Sequence, residues 1–403
     1  MMINSLTAYT ANYILCCKVI AILFVVLLAL SSCQSSSKKS DYAAPPTQNL
    51  TPLQKEQSLY QAQYRLVKAD SLVYHYPDSV FIGLVDAIKL WNDRYIVSDM
   101  RRRVLWIFDN NFTLVGKIGG FGKGPGEFSS PISITPHKDS LYIIEAFMRQ
   151  LTVFDKNFHY ARTVVFPKNI KPEVYKEVLF MGAKIIMSGA FLDTTNQSRT
   201  LFANAKNVLI PSTFILSRSL SIEAGIFPFD EIYFNKEYKA YTERTQAVNL
   251  VPGEQGTFFA QQEGTPWIAH FTQDGTLLKY FGYPSQYWRN PPKTADFKLL
   301  SEQDWAEFYA HMSANYRCFY DERQQLFVTN FANFTQDAYL KSDYLLNKFY
   351  VQVYDNKYNC VLDCPISGAI KFIKNSIIYV LEEDHPHKLM LVGYKLEKAE
   401  QQQ

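Results

Sequence analysis

The stretch KIGGFGKGPGEF, residues 117–128, packs five glycines and one proline into twelve positions. A glycine-rich run with a lysine is the kind of loop that can cradle a phosphate. A phosphate loop of the GxxxxGK[ST] type needs a hydroxyl after the lysine to hold magnesium; here Gly122 and Lys123 are followed by Gly124. A dinucleotide fingerprint needs GxGxxG between a strand and a helix; that spacing is absent, and the following residues read as a strand. The stretch therefore reads as a turn, with glycines supplying positive φ and Pro125 stiffening the bend. Glu127 reads as a cap for the loop's own N–H groups, close to where the chain enters the middle of the fold. Seven histidines (75, 137, 159, 270, 311, 385 and 387) are scattered, and only His385 and His387 cluster, around Pro386 in an exposed turn. EEDH, residues 382–385, reads as a solvated hairpin turn. No Cys/His spacing suits zinc, and no GxSxG or HExxH is present. No cofactor or metal is expected.

A second chemical feature lies at the N-terminus. An apolar run, Val19 to Leu30, follows Lys18. At ~1.5 Å per residue it reaches only ~18 Å, short of the ~30 Å hydrocarbon layer, so it reads as the h-region of a signal peptide over residues 1–32. It ends in Leu30-Ser31-Ser32-Cys33, which resembles the lipobox of bacterial lipoproteins. That resemblance implies cleavage before Cys33, lipid on its thiol, and a firm membrane anchor through three acyl chains. The n-region before Lys18 is longer than the pattern usually has. Residues 33–57 are polar, with Ser and Pro and no apolar periodicity, and read as a flexible tether. After Cys16, Cys17 and Cys33 are set aside, Cys318, Cys360 and Cys364 remain, an odd number that leaves at least one free thiol.

These features must be positioned by the elements between them, and those elements repeat. Tyr95 matches Tyr142 at a shift of 47, while Phe108-Asp109 matches Phe154-Asp155 at a shift of 46, as if one residue were dropped between the second and third strands. The first repeat predicts strands over 86–91, 94–98, 104–109 and 113–119. Runs such as RYIVS and VLWIF are almost continuously apolar, as a sheet covered on both faces requires. Four-stranded units of ~40–50 residues with both faces covered are propeller blades. Weaker copies follow to residue 397, and the fold expected is all-β, a six-bladed β-propeller with four-stranded blades over residues 58–398. The strand around LVKADSLVYHY pairs with the last blade and closes the ring. One segment departs from β: Ser301 stands three residues before Asp304 in a capping-box pattern, predicting a helix over 301–312.

The run from YIVSD through VLWIFDNNFTLVGKIGGFGKGPGEF resembles the six-bladed β-propeller lipoproteins of Bacteroidales, related to NHL-repeat and TolB-like propellers. Their blades end one strand in Asp, the next in Phe-Asp, and cross over through a GPGE-[FY] loop. The match is close over residues 86–155 and rests on strand spacing alone from 170 to 397. The resemblance implies a cell-envelope lipoprotein, on the outer membrane, and supplies no reaction. In the second repeat Ala146 stands in the place expected for Asp99, so the hydrogen bonds of Asp99 are not expected there.

The net charge of +3, with both signs interspersed, gives no basis for a nucleic-acid partner. Loops between second and third strands, and crossing loops, emerge on one face of a propeller. That face should gather Arg101, Arg102, Arg103, Lys123, Glu127 and Arg149, joined by Trp288-Arg289, residue types favoured at binding sites. The function expected is a non-enzymatic binding or assembly module for a protein or an anionic glycan. The alternative is a hydrolase or lyase in the central channel. Three or more converging acidic, Asn or His side chains at the channel mouth would favour the enzyme, and an apolar or purely basic funnel would favour binding.

Overall fold

The computed structural model describes residues 47–48, 54–77, 82–129, 133–145, 148–166, 170–172, 178–191, 213–226, 230–242, 245, 247–297, 299, 301–385 and 387–399. Cys33 and the apolar run before it lie outside the described residues. The chain from residue 54 onward forms a six-bladed propeller of four-stranded antiparallel blades. Blade 1 holds β2 (Val85–Trp91), β3 (Arg94–Asp99), β4 (Val104–Phe108) and β5 (Leu114–Gly119). Blade 2 holds β6 (Ser133–His137), β7 (Ser140–Glu145), β8 (Gln150–Asp155) and β9 (Tyr160–Val165). Blade 3 holds β10 (Val178–Met181), β11 (Lys184–Phe191), β12 (Thr213–Ser217) and β13 (Ile222–Ile226). Blade 4 holds β14 (Val248–Pro252), β15 (Thr257–Gln262), β16 (Ile268–Thr272) and β17 (Leu277–Gly282). Blade 5 holds β18 (Ser313–Asp321), β19 (Leu326–Asn333), β20 (Lys348–Tyr354) and β21 (Cys360–Ile366). Blade 6 is built from β22 (Ala369–Lys374), β23 (Ile377–His385), β24 (Lys388–Lys398) and, from the other end of the chain, β1 (Tyr64–His75). The closing strand pairs antiparallel with β24 along its whole length, as expected.

The first strands of all six blades are neighbours around a central channel. Six buried apolar clusters fill the six interfaces between successive blades, which is why the strands carry little polar alternation. The turn between third and fourth strands is one design repeated in five blades. Its fourth residue takes positive φ (Phe112, Phe158, Leu220, Gly275 and Tyr358), and a ladder bond closes around it.

The repeat register differs from the sequence expectation. Tyr95 opposes Phe108, and the residue opposing Phe154 is Leu141, so the shift is 46 throughout. Arg103 and Arg149, both at positive φ, obey the same shift. The Tyr142 match was one of residue type, not of face: a one-residue slip turns a side chain to the opposite side of a strand. Tyr95 is buried in the interface of blades 6 and 1, while Tyr142 packs against Phe180, ring centres 4.2 Å apart and tilted, in the interface of blades 2 and 3. In consequence Glu145, not Ala146, replaces Asp99. Asp99 accepts from Gly83 N, Arg102 N and Trp106 Nε1, and Glu145 accepts from Ser129 N and Oγ, Gln150 Nε2 and Thr152 Oγ1. Two of the donor positions recur at the same shift, Gly83 as Ser129 and Trp106 as Thr152, while the Gln150 amide stands in for the Arg102 N–H.

The expected helix is α1 (Glu302–Ala310), with both capping-box bonds between Ser301 and Asp304 in place. It is not alone: α2 (Gln336–Leu340) is capped by Thr335, and short helical turns cover Glu231–Phe234 and Lys236–Tyr238. The segment read from sequence as tether is paired in two places: Thr47–Gln48 runs parallel to β13 on the outer edge of blade 3, and its last residues lie along blades 4 and 5. Glu56–Gln57 runs parallel to β17, and Tyr60 bridges to Cys360. Lys55 reaches Asp230 at 3.3 Å and Glu231 at 2.9 Å, and Tyr60 stacks on Tyr283. The chain thus straps the outer edges of blades 4 and 5 before it enters blade 6, covering otherwise open ladders.

Candidate functional site

The antiparallel order of the blades places the loops between second and third strands, and the crossing loops, on one face, called here the upper face. At its centre the channel opens into a cavity of about 460 Å³. Three inner strands around it are irregular, and they are consecutive in the ring. In β18 the ladder skips Tyr316, in β22 it skips Lys371, and in β2 it skips Asp86 and Ala87. The inner strands of blades 2, 3 and 4 pair without such a shift. A bulge adds an unpaired residue and re-aims its side chain. Here the bulges deliver Asp86, Tyr316 and Lys371 to the cavity wall.

Asp86 is the hub of this wall. Arg317 Nη2 reaches its carboxylate Oδ2 at 3.3 Å and its carbonyl at 3.4 Å. Lys371, buried, donates to the Val85 carbonyl at 3.1 Å, the Asp86 carbonyl at 3.0 Å and the Tyr344 hydroxyl at 3.1 Å. Three ammonium protons therefore have three acceptors. Burial first, and then the negative charge of Asp86, push the Tyr316 phenol well above its usual range. Across the cavity stands Glu263, on the loop after β15. Its carbonyl accepts from Asn315 N, while the Asn315 amide donates to Gln262 O. Tyr309, Met312 and Phe334, from the helical inserts of blade 5, form an apolar roof, with Met100 opposite. Two carboxylates and an amide thus converge as the enzyme alternative required, but together with two cations.

The residues singled out from sequence take other positions. Arg101 and Arg102 are exposed on the loop after Met100, and Arg102 lies 3.9 Å from Asp99. The Arg103 guanidinium sits over the Phe121 ring at 4.1 Å. Gly124-Pro125-Gly126-Glu127 is a type II turn, with Gly126 at φ +78° and Glu127 N bonded to Gly124 O at 3.0 Å. Glu127 Oε2 accepts from Gly124 N at 2.8 Å, so it caps its own loop as expected. The loop does not enter near the channel, however. Gly126 lies against Tyr160 and Phe154 of blade 2, and Phe128 is buried between blades 1 and 2. Lys123 and Glu127 are exposed there, away from the cavity lining, and Arg149 is half-buried on the loop before β8. Arg289 turns inward and donates to Ala310 O and Phe334 O. EEDH is not a turn: it ends strand β23, and Glu382 accepts from Ser367 and Tyr394 hydroxyls. Among the described residues no three His, Cys, Asp or Glu side chains gather as a metal site.

Asp86, Glu263, Tyr316, Arg317 and Lys371 were missed by reading motifs. A signal was present. VDAIKLW, NYRCFY and AIKFIK each carry a charge within an inner strand, whereas the inner strands VLFM and VNLVP carry none.

A family model described as a 6-bladed beta-propeller, DUF5128, matches residues 75–176. Among solved structures, a DUF4221-family protein from Bacteroides vulgatus superposes with a TM-score of 0.58 at 12% identity, over 84% of this chain and 100% of that one. A Bacteroides fragilis protein named as exported gives 0.53 at 11% identity, over 85% and 99%. At such identity the likeness is one of fold. No curated protein matches the sequence.

Proposed function

We propose that this chain is a lipid-anchored envelope propeller that binds a ligand without transforming it, with the ligand seated in the upper cavity of blades 5, 6 and 1. The observation that carries this reading is the run of three bulged inner strands around a cavity in which Asp86, Arg317 and Lys371 are already paired within the wall. Its volume falls among those of small-ligand sites, apolar walls with a few fixed polar groups. A general acid or base needs a proton in play near neutral pH. Lys371 has its protons engaged by three acceptors, and Asp86 is held by Arg317. Such groups fix shape and potential. The anchor rests on the short apolar run ending in LSSC, and it directs the module to the envelope, on the outer membrane. The partner is a protein or glycan that inserts a group into the cavity.

The test is photo-crosslinking in whole cells. A benzophenone amino acid at Tyr309, on the cavity roof, is expected to capture a discrete envelope partner, and one at Asn110, on the lower-face turn, is not. Capture from Asn110 alone would overturn the assignment. Metabolic labelling with an alkyne fatty acid should tag the chain and be lost in Cys33→Ser; equal labelling of that variant would remove the anchor from the proposal. The convergence of Asp86, Glu263 and Asn315 favours the second reading, a channel hydrolase or lyase. If the purified chain altered a component of an envelope extract and Asp86→Asn did not, that reading would replace the first.

A further inference from the structure

A separate groove of about 1110 Å³ lies on the upper face between the helical turns of residues 230–238 and the loop of residues 283–291. Its floor is Gly264 to Trp267, the same loop whose Glu263 faces the central cavity. That loop is therefore a ridge between two recesses. We infer that this groove is a saccharide-binding site, taking a neutral oligosaccharide across the faces of Trp267 and Trp288.

Two half-buried indoles line one open groove, with the Lys55 ammonium over the Trp267 ring at 5.6 Å and Phe331 against the Trp288 ring at 5.3 Å. An indole face carries negative quadrupole charge, and the C–H face of a pyranose presents weak positive charge to it. Hydroxyls in the sugar plane then need polar partners at the groove's sides. Asn235, Asn290 and Glu231 are exposed along it and offer amide and carboxylate groups. An apolar helix would not be matched by these amides.

The platforms are held before any ligand arrives. Trp288 N donates to Ser285 O at 3.0 Å, and its neighbour Arg289 N donates to Ser313 Oγ at 2.8 Å. Trp267 N donates to Thr265 Oγ1, whose hydroxyl is anchored on the buried Asp230 carboxylate at 2.9 Å. Tyr280 OH holds the same carboxylate at 3.0 Å. Rigid platforms lower the ordering cost of binding. Charge narrows the ligand class. Among the described side chains Asp230 and Glu231 share one cation, Lys55, so their balance is negative. Sulfated or uronate chains would meet repulsion, and a neutral glycan would not.

The experiment titrates the full chain in detergent with cellohexaose, maltohexaose and chitohexaose, reading indole fluorescence and heat. At least one is expected to bind at sub-millimolar concentration. Trp267→Ala and Trp288→Ala should each weaken it by tenfold or more, while Trp→Phe at the same positions, which keeps a flat ring, should recover most of it and show that the fold is intact. Tyr309→Ala, in the central cavity, should leave the affinity unchanged, which separates this inference from the proposed function. Absence of heat and quenching with all three sugars at millimolar concentration overturns it. So does binding that survives both alanine variants but is lost in Tyr309→Ala.

Discussion

Lys371 concentrates the closure of the ring into one side chain. It springs from the first strand of blade 6 and bonds to two carbonyls of blade 1 and to Tyr344. Lys371→Met keeps the length and removes three charged donors; the Val85 carbonyl then keeps the Tyr344 hydroxyl as a side-chain donor and the Asp86 carbonyl keeps Arg317. A hydrogen bond to a charged group contributes about 1.5–3 kcal/mol, so a loss of roughly 2–4 kcal/mol is expected in urea unfolding. Arg103→Ala, which removes only a stack on the exposed Phe121, should cost less than ~1 kcal/mol. Two other residues give opposite pH dependences. Burial pushes the Asp363 carboxyl up to about 6, against hydrogen bonds from Ser285 and Gln352 that lower it. The protonated form is favoured in the fold, so this contribution is full below the unfolded value of 3.8 and is lost as pH rises through about 6. Asp363→Asn should flatten that limb and raise stability at pH 7.5 by about 1 kcal/mol after allowance for solvent screening. Burial pushes His270, stacked on Phe259, down to about 4. Its contribution is present above 6.5 and is lost as pH falls toward 4, and His270→Phe should remove that acid limb. Thermal unfolding across pH 4–8 reads both, and retention of either limb in its variant would contradict the assignment.

At the scale of elements, strand irregularity and turn chemistry divide the work. The bulges in β2, β18 and β22 cost ladder pairing, and Asn330 repairs part of that by accepting from Ile370 N at 3.0 Å while donating to Tyr350 O. The glycine loop has a different task, to deliver Phe128 between blades 1 and 2. Gly126→Val, at φ +78°, should destabilise the protein by roughly 1–3 kcal/mol. Gly124 is not at positive φ; a Cβ there meets the Glu127 carboxylate at 2.9 Å, the end of an exposed side chain that can swing away, so Gly124→Ala should cost less. Phe128→Ala should cost more than either, about 3–5 kcal/mol, as for other buried aromatics. Denaturant midpoints in that order are expected, and a tolerant Phe128→Ala would show that the loop does not hold the blades together. Lys123→Ala should change neither stability nor any response to ATP.

For the whole molecule, closure by β1 and the strap before it predict how truncation acts. Removal through residue 46, ahead of the pairing of Thr47–Gln48 with blade 3, should leave the melting temperature near that of the full chain. Removal through residue 63 opens the edges of blades 4 and 5 and discards the Lys55 ties to Asp230 and Glu231, and should lower it. Both should unfold in one transition, because each blade's apolar faces are covered only by its neighbours. Equal melting of the two truncations would show that the strap is incidental, and two separate transitions would contradict a single ring.

Strand number, blade count, closure by the N-terminal strand and the capped helix were legible in the sequence. Each is set by local chemistry: apolar runs bounded by turn residues, and a Ser301–Asp304 cap. The turn over Gly124 to Glu127 was legible for the same reason. Register was not, because Tyr95 and Tyr142 look alike in type while only cross-strand pairing reveals their faces. The candidate site was not legible either. Asp86, Arg317 and Lys371 are far apart in sequence and stand in strands whose charges look like interruptions, and Glu263 stands on a loop. Only the closing of six blades on one axis brings the inner strands together, and bulges, which arise from the fit of one strand to its neighbour, turn Asp86 and Lys371 inward.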